Sequence, residues 1–147
     1  MSKKHIVYKK LLPNIRFDFN ELVWNFELDP LSTKVVRESF LLKVTHSSLL
    51  KIDQIREELM KNTNHRLTNC DIYSSLSSQN AGTPFHRDRE PVIILNTFGR
   101  ICYNIYNFDN TENVILEEGD AIYIPSFLGH AAIPLSPRIS LSYECEE

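Results

Sequence analysis

The chain has 147 residues, of which 42% are hydrophobic and 24% charged, with a formal net charge of −3. That is the make-up of one globular domain, too short for a second of normal size and without a general attraction for a polyanion, so nucleic acid is not an expected partner. Cys70, Cys102 and Cys145 are widely spaced and form no C-x-x-C, no apolar run is long enough to cross a bilayer, and the first ten residues hold no signal-peptide core, which points to a soluble, cytoplasmic protein with no membrane contact.

Residues 6–8 read as an edge strand, 31–37 as a short helix capped by Ser32 or Thr33, and 40–45 as a strand. Residues 47–61 are the clearest helix, because Leu49, Leu50, Ile52, Ile55, Leu59 and Met60 form an apolar stripe, with Glu57, Glu58 and Lys61 among the outward positions. This helix is expected to support the fold rather than to carry chemistry. Texture changes near residue 66: about 1–66 is mixed, and about 67–147 is nearly all strand and turn. Eight short strands are expected there, over 71–76, 84–88, 92–95, 100–106, 113–116, 121–124, 131–133 and 138–143. Such a series with regular turn signals predicts a mainly β fold, a jelly roll with one or two supporting N-terminal helices and a ligand site in the barrel mouth.

Chemistry concentrates at Pro84-Phe-His-Arg-Asp-Arg89 and at Gly129-His130. Residues at i and i+2 of a strand share a face, so His86 and Asp88 can grip one ion while Arg87 points away. A lone H-x-D pair more often marks a surface strand than a metal site. Here the segment 118–130 reads as a turn, a short strand, another turn and a histidine opening the next strand, and this brings in His130 as a third ligand. Two imidazoles and one carboxylate make the facial triad of non-haem iron enzymes, with three positions of an octahedral ion left for co-substrate and dioxygen.

The last strand is two-sided. Arg138, Ser140, Ser142 and Glu144 share one face and Ile139, Leu141 and Tyr143 the other, as in a barrel with a polar cavity inside and a helix outside; an edge strand with its polar side in water has the same pattern. Tyr73, Tyr103 and Tyr123 are candidates to line the cavity, although a core aromatic with a satisfied hydroxyl is the commoner case. Asn96 and Asn104 are candidate supporting groups. His5, His46 and His65 lie outside any ligand spacing and are expected on the surface or at caps. Residues 79–83 are expected to form a loop at the site mouth.

The segments 85–100, 116–130 and 138–143 resemble the Fe(II)- and 2-oxoglutarate-dependent oxygenases with a double-stranded β-helix, most closely the JmjC or cupin-like hydroxylases. The resemblance covers about residue 70 to the end. It implies His86, Asp88 and His130 as catalytic iron ligands, with Fe(II), 2-oxoglutarate and dioxygen as cofactor and co-substrates. JmjC-like members hold the distal carboxylate of 2-oxoglutarate with a cation just after the glycine of the fourth strand, where this chain has Ile101, and alternation aims Arg100 away. Prolyl-hydroxylase-like members use an arginine on the last strand, which implies Arg138 as the anchor, with Ser140 assisting and Tyr73 and Tyr103 as further cofactor-binding residues. An arginine suits the task, since its planar fork pairs bidentately with a carboxylate. The implied activity is hydroxylation of a C–H bond, first of a protein or peptide side chain and next of a free amino acid or other small molecule, with demethylation behind. A metal-binding cupin that does not use 2-oxoglutarate, and a non-catalytic barrel module, remain open, as does a homodimer.

Overall fold

Short β-branched runs separated by Gly, Pro and Asn turns decide the architecture. The computed structural model describes residues 4–28, 33–35, 40–45, 47 and 49–146. In chain order the elements are β1 (Ile6–Tyr8), α1 (Phe19–Leu28), β2 (Thr33–Val35), β3 (Leu41–Val44) and α2 (Leu50–Thr63). Eight strands follow: β4 (Arg66–Ser75), β5 (Thr83–His86), β6 (Val92–Phe98), β7 (Ile101–Tyr106), β8 (Thr111–Leu116), β9 (Ala121–Ile124), β10 (Gly129–Pro134) and β11 (Arg138–Glu146). They form an antiparallel sheet of order β1-β9-β6-β11-β4-β3-β2 facing a second of order β5-β10-β7-β8. From β4 onward the chain crosses between the sheets at nearly every turn, staying in the smaller sheet only for the β7–β8 hairpin. This is the winding of a jelly roll.

The two faces of the larger sheet bury separate cores. Ile72, Ile93, Leu95, Leu141 and Tyr143 pack against Ile52, Ile55 and Leu59 of α2, whereas Ile94 and Ile122 face Ile101, Tyr103, Ile105 and Leu116 between the sheets. Each such side chain contributes about 1.5–3 kcal/mol on burial. The Tyr143 hydroxyl donates to the Ile52 carbonyl at 2.7 Å, tying β11 to the helix behind it. The last strand is therefore split as its alternation requires, with its apolar residues under α2. Asn64 ends that helix in the left-handed region at φ 60°, its N–H donating to the Met60 carbonyl. Among the described residues no helix is long and apolar enough to cross a membrane.

Two N-terminal elements differ from expectation. Residues 33–35 form a strand rather than part of a helix, pairing with β3 from Thr33 against Val44 to Val35 against Leu42, and residues 31, 32, 36 and 37 lie outside the described residues. β-branched Thr33 and Val35 suit a sheet edge better than a helix of one or two turns. Helix α1 was not anticipated. Asp18 Oδ1 caps it, accepting from Asn20 N at 2.9 Å and Glu21 N at 3.4 Å, and Lys51 Nζ holds it to α2 through Glu21 at 2.9 Å.

The turn entering β9 fixes the approach to the site. Gly119 supplies the left-handed residue at φ 91°, and the Asp120 carboxylate accepts from Lys10 N at 2.7 Å, Glu117 N at 2.8 Å and Lys9 Nζ at 3.1 Å. Burial alone would raise the Asp120 carboxyl, but these donors more than offset it and hold it below its ordinary value. A depressed carboxyl contributes stability above its unfolded pKa near ~4 and loses it as pH falls through the folded value. Asp120→Asn is expected to cost about 1–3 kcal/mol at pH 7, the worth of hydrogen bonds to a charged group. Thermal melts from pH 7 to pH 3 check this, and the gap between variant and wild type closes toward the acid end. A constant gap would rule out the charge as the cause.

Candidate metal centre

Antiparallel pairing places the two histidines together. His86, the last residue of β5, is the cross-strand partner of His130, the second residue of β10, and their ring centroids lie 4.2 Å apart. Asp88 is not on the strand as the i, i+2 reading expected. β5 ends at His86, and Asp88 lies two residues beyond it, just ahead of the bend at 89–90, so the carboxylate reaches the histidines from the segment that follows the strand. That segment is held by Phe127, whose N–H donates to the Asp88 carbonyl at 2.8 Å from a left-handed backbone with φ 63°. A bulky residue in that conformation is costly, and its use here braces the segment carrying Asp88 against the turn that delivers His130.

Asp88 Oδ2 lies 3.2 Å from His130 Nε2 and 3.6 Å from His86 Nε2. A facial triad with bonds of about 2.1 Å puts neighbouring donors about 3 Å apart, so a cation fits with small adjustments. Among the described residues this is the one cluster of three such groups, with all ligand atoms within 4.8 Å of one another. The hydrogen atoms fit a cation too. His86 Nδ1 donates to the Pro84 carbonyl at 2.8 Å and His130 Nδ1 to the Leu128 carbonyl at 2.9 Å. A carbonyl only accepts, so each neutral ring turns an Nε2 lone pair toward a carboxylate oxygen. Three acceptors converge, and only a proton or a metal ion reconciles them. Burial works against the Asp88 charge, but His130 and His86 outweigh it and hold this carboxyl well below the usual carboxylate range. The hydrogen bond with Asp88 raises His86 in turn, against partial burial.

His130 is 2% exposed, whereas the side chains of His86 and Asp88 are each 38% exposed. The centre therefore has a deep side and an open one. On the deep side a cavity is walled by Tyr73, Tyr103, Ile94, Ala132 and Ser142, with Arg138 at its base. Arg138 is 1% exposed; its Nε donates to Ser75 Oγ at 2.9 Å, and among the described residues neither Nη1 nor Nη2 has a hydrogen-bond partner. The guanidinium carbon stands 5.8 Å from the Tyr73 ring centroid. Burial lowers the Arg138 pKa, with Tyr103 and Tyr73 acting the other way, and burial raises both tyrosines, so their hydroxyls keep their protons. Arg138 is thus a buried cation with both Nη groups of its fork unused, in one cavity with a triad of metal-ligand type.

The structure thus brings His86, Asp88, His130, Tyr73, Tyr103 and Arg138 together. Ser140 is not in the cavity wall: it is fully buried and its hydroxyl donates to Asn96 Oδ1 at 3.0 Å. Asn96 in turn donates to the Gly99 carbonyl at 2.6 Å, which makes it a turn support. Tyr123 stacks on His65 at 4.6 Å in the core on the α2 side, away from the site. Cys102 Sγ donates to Asn104 Oδ1, at 3.9 Å. His5 pairs with Glu112 at 2.8 Å, and His46 lies outside the described residues. Arg100 points away to Glu117, 2.8 Å from its Oε1. The 79–83 loop is pinned by Phe40 N donating to the Asn80 carbonyl and Ser75 Oγ to the Ala81 carbonyl. Thr83, Ile94, Ala132 and Ser142 also line the cavity and were not singled out in the sequence as site residues.

No family profile and no curated protein matches the chain. Solved structures do. A ribosomal oxygenase of Escherichia coli, YcfD, in complex with cobalt and 2-oxoglutarate, superposes with a TM-score of 0.77 at 18% identity over 99% of this chain and 48% of that one. The same protein with cobalt and succinic acid gives 0.74 at 19% identity, covering 99% and 48% of the two chains. An RmlC-like cupin from Shewanella frigidimarina gives 0.55 at 13% identity over 81% of this chain and 87% of that one. The chain has the cupin fold. It spans about half the length of the oxygenase structures it resembles. In this cupin barrel, a double-stranded β-helix, β5 and β10 carry the histidines and β11 the buried arginine.

Proposed function

We propose that the protein is an Fe(II)- and 2-oxoglutarate-dependent oxygenase that hydroxylates a C–H bond of a protein or peptide side chain in the cytoplasm. One observation carries the reading: the unpaired Nη atoms of Arg138 share a cavity with the His86-Asp88-His130 triad. A dicarboxylate fits that pair of features, since one end can chelate the metal and the other take the arginine fork. Likeness to an oxygenase structure holding cobalt and 2-oxoglutarate supports it.

Bound together, the metal, 2-oxoglutarate and dioxygen supply the oxidising power, with the diacid decarboxylated to succinate and CO2. The chain supplies position and charge. His86, Asp88 and His130 would hold the ion by one face. Arg138 would take the distal carboxylate, and the Tyr73 and Tyr103 hydroxyls, which stay protonated, would donate to the same molecule. Ile94 and Ala132 keep the wall between metal and arginine apolar and exclude water. The open side is left to the substrate. Its lip carries Phe85 packed edge-on against Tyr106 at 4.8 Å, the Arg87 guanidinium 5.0 Å over Phe85, and Phe127 at 63% exposure. This exposed aromatic lip favours a polypeptide over a small metabolite that would sit wholly inside.

Anaerobic addition of 2-oxoglutarate to the Fe(II)-loaded protein is expected to produce the weak visible charge-transfer band of a metal chelate. Metal binding without the band, and without 2-oxoglutarate binding by calorimetry, would move the protein to the cupins of other chemistry.

A further inference from the structure

We infer that Lys43, with Asp71 beside it, forms a second anion subsite at the rim of the metal cavity, so that the substrate carries a carboxylate close to the carbon that is oxidised. The inference rests on the 2-oxoglutarate reading of the site and adds the class of substrate to it.

Register puts Lys43 on β3 directly beside Tyr73 on β4. The ammonium lies 5.2 Å from the centroid of the Tyr73 ring, and the Arg138 guanidinium lies 5.8 Å from the same centroid. Tyr73 thus has two cations for neighbours, one sealed at the base of the cavity and one, Lys43, whose side chain is 35% exposed. A dicarboxylate held by the metal and Arg138 uses both of its charged ends, which leaves Lys43 for a different anion. Asp71 Oδ2 is 3.6 Å from Nζ, an ion pair too long for a strong hydrogen bond. An ammonium has three donors, so Lys43 can take a further acceptor alongside Tyr73 and Asp71. Ser142, the cross-strand partner of Asp71, lines the cavity and joins this rim to its interior.

A carboxylate can come from a glutamate or aspartate side chain of a polypeptide or from a free amino acid. In the second case Asp71 is placed to meet the ammonium group. Proton relaxation measured with the Mn(II)- and 2-oxoglutarate-loaded protein separates these sources. The probes are N-acetyl-glutamate amide, N-acetyl-glutamine amide and free glutamate. The glutamate probes are expected to show about tenfold stronger binding than the neutral glutamine probe, the value of one charge-assisted hydrogen bond. Lys43→Met is expected to remove that preference and Lys43→Arg to keep it, with Mn(II) and 2-oxoglutarate binding unchanged in both. A stronger response from the blocked glutamate assigns a peptide substrate, and one from free glutamate assigns an amino acid. Equal binding of the glutamate and glutamine probes, or a preference surviving in Lys43→Met, overturns the subsite. Failure of the wild type to bind 2-oxoglutarate overturns the reading beneath it.

Discussion

Asp88→Ala is expected to weaken divalent-metal binding by at least about a hundredfold, beyond the effect of losing an outer partner of a ligand. Asp88 supplies the only anionic ligand of the triad and the oxygen on which both Nε2 atoms converge, at 3.2 and 3.6 Å. Two neutral imidazoles alone make a weak, neutral site for a hard divalent ion. Calorimetry with Mn(II) or Co(II) on the metal-free protein measures the loss. A second readout separates a missing ligand from a damaged fold. The hydrogen bond with Asp88 is the largest cause of the raised His86 pKa, so in the metal-free variant that pKa is expected to fall, as followed by the His86 ring protons. Unchanged metal affinity would remove Asp88 from the site.

Arg138→Met is expected to lower 2-oxoglutarate affinity by about a hundredfold or more while leaving metal binding intact. Truncating one side of a buried charge pair costs about 2–5 kcal/mol, and about 1.4 kcal/mol is tenfold. The same substitution carries an unusual expectation for the ligand-free protein. There the guanidinium is buried with one hydrogen bond, to Ser75, whose own hydroxyl is satisfied by the Ala81 carbonyl. Replacing an uncompensated buried charge with an apolar side chain of similar length is expected to raise stability by about 1 kcal/mol or more. A higher melting temperature without ligand, together with lost 2-oxoglutarate binding, marks Arg138 as a residue kept for function against stability. Arg138→Lys keeps the charge but loses the fork, and is expected to fall between. A 2-oxoglutarate affinity unchanged in Arg138→Met would place the anchor elsewhere.

The core was legible where the pattern was local. Alternation in β11 sorted Ile139, Leu141 and Tyr143 from Arg138 and Ser142, and the eight strands after residue 66 follow their turn residues. Helix α1 was less so, because Val23 and Trp24 are exposed apolar residues that blur its stripe. The signal that could have found it is the capping box, Asp18 followed three residues on by Glu21. Asp88 illustrates a second limit: strand alternation put it on the right side of the molecule, but a strand end is set by partner strands that the local sequence does not contain. Ser140 shares the parity of Arg138 and Ser142, yet its short hydroxyl is taken up by Asn96 and does not line the cavity, a partnership that strand alternation does not reveal. Lys43 was invisible as a site residue because only the β3–β4 register brings it beside Tyr73.

The position of β5 in the smaller sheet has a consequence for how the protein comes apart. β5 is a four-residue edge strand paired on one side only, to β10, with a register shift between His130 and Ala132. It carries His86 and leads directly into Asp88, so two of the three candidate ligands ride on the shorter edge strand of the smaller sheet. Peeling β5 away exposes little of either apolar core, and such openings cost far less than global unfolding. An ion bound by the triad would reverse that weakness, because it would rivet the edge to the deeply buried His130. Metal release and fraying of one strand would then become a single event, and the amides of Phe85 and His86 are expected to exchange with solvent at a rate set by the ion rather than by the fold.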